Sequence, residues 1–434
     1  MTARRAAACP DAVTLTKRVE PFAPWGRLHA VSRQNSGGLF MGGKRPAPSF
    51  AGTGVETPYY RLSAFELATS WVPGVRPLGP LPDTVSSARI AFESAVRPAL
   101  LRPPCYVSFS GGRDSSAVLA VATHIARREG LADPVPVTEV YPGIDAADES
   151  HWQRLVIDHL GLHEWTRISI SGESDLLGAA AQASLLRRGV LWPPSFHVKD
   201  ALFATASGGT LLTGEGGDEV IGPRRVTPVT LLVRKRRRPR PALLRAVTAA
   251  LAPAPLRRAW LRRDIARSDQ QPWLRPSVAR EHRRQLAADE AAEPLSWGRA
   301  IRWVRHRRAV DAVLTNYQAL GTEHDVVVGH PLLDDGFLAA LAGAGGRWGF
   351  AGRTALMRIL FADVLPDEIL RRSTKASFDR AYMGEATRDF ARGWDGTGVD
   401  TDLVDPETLR AAWLSDHPST LSGTLLQQAW LASR

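Results

Sequence analysis

Four short apolar runs alternate with longer amphipathic stretches through the middle of the chain. Residues 105–109 (Cys-Tyr-Val-Ser-Phe), 136–141, 165–170 and the run ending at Leu211 and Leu212 are strand-length and rich in apolar or β-branched side chains. Between and before them, residues 84–101, 117–128, 148–160, 174–188 and 196–206 carry the periodicity of helices. Strands that alternate with helices predict an α/β fold, a doubly wound parallel sheet covered on both faces. From about residue 300 to the end the pattern is helical. The first 82 residues instead are rich in Gly, Pro and Ser, with short strands such as 63–71 and little sustained period.

Two of the predicted strands end in glycine loops loaded with polar groups. After the first come Ser110, Gly111, Gly112, Arg113, Asp114, Ser115 and Ser116, followed by a good helix. Strand, glycine turn and hydroxyl-rich helix start point backbone N–H groups and a helix dipole at an anion. Gly111 and Gly112 admit a phosphate without a Cβ in the way. Ser110, Ser115 and Ser116 add donors, and Asp114 offers a carboxylate to Mg2+. No lysine lies in this loop, so it is not the usual nucleotide P-loop. After the strand near Leu211 come Thr213, Gly214, Glu215, Gly216, Gly217, Asp218 and Glu219. Glycines interleaved with acids here predict ligand contact in place of packing, with a cation among carboxylates that would otherwise repel.

Together the loops resemble those of the synthetase domain of the asparagine synthetase family, in the ATP pyrophosphatase group. Three later segments extend the likeness to roughly residues 86–390. Gly329-His330-Pro331-Leu332-Leu333-Asp334 is similar to the family's R-x-P-F-L-D, with His330 and Leu332 as departures. The run from Ala351 to Arg358 looks like the segment that follows it. Arg371-Arg372-Ser373-Thr374-Lys375-Ala376-Ser377-Phe378 is similar to R-x-K-x-x-F.

The resemblance implies an adenine nucleotide alpha hydrolase-like fold and ATP and Mg2+ as cofactors. It implies that Ser110, Gly112, Asp114, Ser115 and Ser116 contact pyrophosphate or its metal. Phe109, Val140, Thr213 and Gly214 fall where the family holds the adenine nucleotide, and Asp114 and Asp218 match its Mg2+ ligands. Glu215 matches the catalytic glutamate that takes a proton from the attacking amine. Beside Asp218 and Glu219, a raised pKa would suit that task. Lys375 matches the lysine that stabilises charge in amide formation. The reaction implied is AMP-forming: a carboxylate is adenylated with loss of pyrophosphate and then joined to an amine.

Family members of full length begin with a glutamine-hydrolysing domain that opens on a cysteine after the initiator methionine. Here Thr2 takes that place and Cys9 has no matching context, so residues 1–85 read as a shortened, inactive remnant and 86–434 as the synthetase domain. Gly38, Gly43 and Lys44 have Walker A spacing, but Arg45 stands where a hydroxyl must bind Mg2+. With Cys9 and Cys105 as the sole cysteines, a disulfide framework or structural zinc is excluded. No apolar run suits a membrane span or signal peptide, which makes the cytoplasm the expected compartment.

Net charge is +11, and of 55 basic residues only five are lysine. An arginine habit of this kind is compositional in the first instance, and it singles out Lys375 as a place where arginine would not serve. Residues 224–290 form a basic helical insertion, opening on Arg234, Lys235, Arg236, Arg237 and Arg238 and holding Trp260 and Trp273. They read as solvated helix faces with tryptophans in the core, or as a surface for an acidic peptide or carrier; no nucleic-acid module accompanies the charge.

Loss of the glutaminase favours a ligase of specialised biosynthesis that uses an amine within its substrate, such as closure of a lasso-type macrolactam or a β-lactam. Asparagine formation from aspartate and external ammonia is the alternative, and an inactive nucleotide-binding scaffold the non-enzymatic one. Transfer-RNA-modifying pyrophosphatases would explain the charge but lack the second acidic loop.

Overall fold

The computed structural model describes residues 58–83, 86–170, 174–234, 240–267, 270–374, 376 and 379–434. The Walker-like decoy, Cys9, the run 235–239 and Lys375 therefore lie outside the described residues.

Five strands form one wholly parallel sheet: β1 Cys105–Ser108, β2 Val135–Val140, β3 Thr166–Ser169, β4 Thr210–Leu212 and β5 Val327–Gly329, in the order β3-β2-β1-β4-β5. Tyr106 pairs with Val135 and Leu211, and Thr210 with Val327. From β1 the chain winds outward through β2 and β3, then crosses back to β4 on β1's other side. That reversal makes a switch point between β1 and β4, where loops leave in opposite directions and open a crevice at the strands' carboxyl ends.

Alternation along the strands divides the apolar side chains between two faces. Val107 and Leu212 join a core with Phe92, Val118, Phe337, Leu338 and Phe361 from helices Ala88–Leu100, Arg113–Glu129, Asp335–Gly345 and Arg353–Phe361. Leu211 and Val137 join the opposite core with Trp192, Phe203, Tyr317 and Leu320, the last two from helix Arg308–Glu323. A third cluster lies away from the sheet, built from Trp273, Val278, Met383, Trp413 and Leu426.

Several sequence expectations need correction. The run 63–71 is a helix, Ala64–Thr69, because Ser63 and Glu66 form a reciprocal capping box. The stretch 174–188 becomes a helix only at Ala179–Arg188; before it, Asp175 turns its carboxylate on the backbone N–H of Leu177 and on Thr387. The stretch 196–206 is a 3-10 turn, Pro194–Val198, and then a short helix, Asp200–Thr205. Strand β5 was not foreseen in a region read as helical. Within the basic region Trp273 is buried, but Trp260 is exposed.

Residues 58–83 pack onto the sheet-bearing body. Tyr60 N–H donates to Asn316 Oδ1 at 2.8 Å, Arg308 Nη1 to the Pro73 carbonyl at 2.9 Å, and Gln271 Nε2 to the Thr69 carbonyl at 2.6 Å. Among the described residues no helix is long and apolar enough to cross a membrane.

Candidate active site

Both glycine loops emerge at the switch point. The helix after β1 begins at Arg113 with Gly112 as its N-cap, four residues earlier than the apolar pattern indicates, so Asp114, Ser115 and Ser116 occupy its first turn. Ser110 Oγ lies 3.2 Å from Ser115 Oγ and accepts from the Gly112 N–H at 3.3 Å, which folds the loop back on the helix start. Gly111 has a φ of 79°, and a Cβ there would come within 2.9 Å of Gln153 Cγ. Phe109 is buried in the core, its carbonyl accepting from Thr138 Oγ1 at 2.6 Å, and Val140 is partly exposed at the end of β2.

The second loop is pressed against the first, an approach that Gly214 and Gly217 permit, while Gly216 admits Leu333, contrary to the expectation that these glycines have no packing role. A Cβ on Gly214 would stand 2.8 Å from the Ser115 nitrogen. On Gly216, whose φ is 86°, it would meet Leu333 Cγ at 2.3 Å, and on Gly217 it would meet Asp114 Cγ at 2.1 Å. Every one of these is far inside van der Waals contact.

Asp114 and Asp218 thereby face one cation, which is Arg353. Its Nη2 bonds Asp114 Oδ2 and its Nη1 bonds Asp218 Oδ1. Sequence reading noted the segment that carries Arg353 and gave the residue no role. Burial lifts the Asp114 carboxyl above the ordinary aspartate range, with Asp218 adding repulsion and Arg353 opposing both. Asp114 Oδ1 and Ser116 Oγ are buried without a hydrogen-bond partner, which is how acceptor and donor groups for an absent ligand present themselves.

Arg113 and Arg372 complete a cationic collar around the first loop. Arg372 is buried, donates through Nη1 to the Gly111 carbonyl at 2.9 Å and through Nη2 to Glu149 Oε1 at 2.5 Å, and stacks 4.7 Å from the Trp152 ring centre. It precedes Lys375 by three positions in the sequence. Burial and the neighbouring Arg353 push the Arg113 guanidinium down to about 10. The loop without lysine is thus served by arginines, two of which arrive from distant sequence.

On the other side of the second loop, Glu215 Oε1 accepts from Tyr317 Oη at 2.7 Å. Tyr317 stands on helix Arg308–Glu323 and nothing in its local sequence marks it out. Burial and the adjacent Glu215 carboxylate hold its hydroxyl well above the usual tyrosine range, so it remains a donor. Thr213 Oγ1 is bonded to His330 Nδ1 at 2.7 Å and accepts from the Glu215 N–H at 3.3 Å, and the His330 ring packs edge-on to Tyr317 with centroids 4.9 Å apart. Burial, and then the neighbouring Asp218 and Glu215 carboxylates, raise the Glu219 carboxyl as well.

His330 is pushed down to about 4 by burial, His282 to about 4, and His197 to about 3, where Arg188 adds repulsion. Each is lowered in the fold, so between those values and the ordinary histidine value the unfolded chain binds more protons. Stability therefore rises with pH in that window and falls on acidification, by up to roughly 1.4 kcal/mol per pH unit for each histidine. The urea midpoint is expected to drop between about pH 7 and pH 5, and replacing His197 by Asn to flatten the drop. An unchanged midpoint would refute this.

Among the described residues no three His, Cys, Asp or Glu side chains cluster as a complete metal cage. Two carboxylates, one with a free buried oxygen, suit Mg2+ held jointly with substrate phosphate.

A parallel sheet with paired glycine loops at its switch point defines a nucleotide-handling α/β enzyme class. Residues 87–432 match the family model described as asparagine synthase, and the chain belongs to the asparagine synthase family. It is accordingly an ATP-using ligase that forms C–N bonds. A comparison with curated proteins returns no match.

Proposed function

We propose that this ligase adenylates a carboxylate and joins it to an amine carried by its own specialised substrate, with lasso-type macrolactam closure as the favoured reaction. The observation that carries the site is the convergence of Asp114, Asp218 and Arg353 beside a buried hydroxyl-rich helix start, with Glu215 held next door by Tyr317.

In this reading Ser110, Gly111, Gly112, Ser115 and Ser116 bind the β- and γ-phosphates of ATP, and Phe109, Val140, Thr213 and Gly214 border the nucleotide. Asp114 and Asp218 would hold Mg2+, which when bound neutralises charge on the departing pyrophosphate. The arginine collar serves the same charge from the protein side. The substrate carboxylate attacks the α-phosphorus and pyrophosphate leaves. Glu215 then accepts the proton of the attacking amine, Lys375 stabilises the oxyanion, and AMP leaves as the amide forms. Tyr317 positions Glu215.

Aligned on Pro331, Leu333 and Asp334, the arginine of R-x-P-F-L-D falls on Gly329, whose lack of a side-chain charge supports a substrate other than aspartate. Its neighbour His330 fills the x position, with an imidazole that burial lowers to about 4 and leaves neutral at working pH.

The test is mass spectrometry of AMP and products from the protein with ATP, Mg2+, aspartate and ammonium, with Lys375→Ala alongside. Lysine-dependent asparagine would replace the proposed reading with asparagine synthesis. Bound ATP without asparagine is the expected result, and peptides with a free amine and a side-chain carboxylate are the next substrates.

A further inference from the structure

Arg353 holds carboxylates that a ligand of the ATP site would need. It opens helix Arg353–Phe361 and reaches Asp114 and Asp218 together, one Nη to each carboxylate. Burial works against its charge, and the two carboxylates more than make up for it, so the guanidinium lies above its usual range. Three buried polar atoms of this bridge and of the helix turn that carries Asp114 have no hydrogen-bond partner among the described residues: Asp114 Oδ1, Ser116 Oγ and Arg353 Nε. A bridge built only to fasten two loops would leave its members satisfied, since a buried ion pair repays its desolvation only when its remaining atoms are bonded.

A dication set on the same pair would stand against a guanidinium bonded to both carboxylates, so the two cations compete for them. A divalent cation alone gains little by winning. Arg353 would be left without a counter-ion beside Arg113 and Arg372, whose charges already bear on this loop. Glu149 offers no refuge, because Arg372 engages both of its oxygens. Polyphosphate changes the balance, since it brings acceptor oxygens for the displaced guanidinium and negative charge for Arg113. The Asp218 side chain is 40% exposed, which leaves the exchange open to the crevice.

We propose that Arg353 makes the site take a divalent cation only together with polyphosphate. Its guanidinium keeps Asp114 and Asp218 from the free ion, then yields them to the complex and turns to the phosphate oxygens. This exchange rests on the placement of Mg2+ at Asp114 and Asp218 proposed above, and goes beyond it by giving Arg353 opposite effects on the free ion and on the complex. A guanidinium that only fastened the loops would have one effect on both.

Isothermal titration of the full chain with MnCl2 alone and with Mn2+-ATP tests it, Mn2+ standing in for Mg2+ as a cation that also prefers oxygen ligands. Arg353→Gln is expected to bind Mn2+ alone at least about tenfold more tightly than the unmodified chain, and Mn2+-ATP at least about tenfold more weakly. Arg353→Lys keeps the charge and should still refuse the free ion. Adding Asp218→Asn to Arg353→Gln should abolish the gained Mn2+ binding. If its uncompensated carboxylates destabilise Arg353→Gln, Mn2+ alone should raise the thermal midpoint of that variant, while only Mn2+-ATP raises that of the unmodified chain. No gain in Mn2+ affinity in Arg353→Gln, or equal losses for the free ion and the complex, would overturn the proposal. Asp218→Asn binding Mn2+-ATP as tightly as the unmodified chain would instead remove the metal from the pair, and with it the placement on which the exchange rests.

Discussion

Gly217→Ala is expected to lower affinity for Mg2+-ATP by about 10²-fold while leaving the fold intact. An added Cβ would lie 2.1 Å from Asp114 Cγ and 2.6 Å from its Cβ, a collision that no tail of a flexible side chain can absorb. Asp114 itself is pinned by Arg353, so relief requires the two loops to part. The loops lie outside the five strands, so the circular dichroism spectrum should change little, and the thermal midpoint reads any strain passed to the core through Leu333 and Val220. Isothermal titration with Mg2+-ATP reads the effect directly. An affinity within about twofold of the unmodified chain would mean that the loops need not touch to bind nucleotide.

Glu215→Gln should cost 10²- to 10⁴-fold in amide formation, on the order of what a positioned general base contributes. The amide keeps the size of the side chain and can still accept from Tyr317, so binding and pyrophosphate exchange with the acyl substrate should persist. Tyr317→Phe separates positioning from proton transfer. It removes the 2.7 Å hydrogen bond to Glu215 and should reduce the turnover number about tenfold while leaving the KM for ATP unchanged. Equal losses of exchange and amide formation in Glu215→Gln would assign the residue to nucleotide binding instead.

The first four strands and both glycine loops were legible because each combines a short apolar run with residues whose backbone or charge demands explanation. Strand β5 was not, since Val327–Gly329 is too short to show a period and borders a motif read for its polar residues. Asp114 and Asp218 announced the need for a cation, but Arg353 could not be chosen as their partner among so many arginines by sequence alone. Tyr317 left no local signal: it is one more large apolar position on an amphipathic helix, and only the packing of that helix under the second loop turns its hydroxyl toward Glu215. The helix at Ala64–Thr69 was readable from Ser63 and Glu66 and was missed because the surrounding composition suggested irregular chain.

Neighbours in the sheet are not always neighbours in the chain. Strands β1 to β4 are complete by Leu212, yet β5 joins β4 only after residues 213–326 have been made, and Arg353 follows later still. Loop-closure entropy for that return grows only slowly with its length, so the long detour costs little stability and mainly delays closure. As the chain leaves the ribosome, Asp114 and Asp218 precede by more than a hundred residues the arginine that will compensate them. The crevice at the strands' carboxyl ends is therefore the last part of the sheet domain to mature, and a chain cut short after β4 would hold the first glycine loop without Arg353 to balance Asp114.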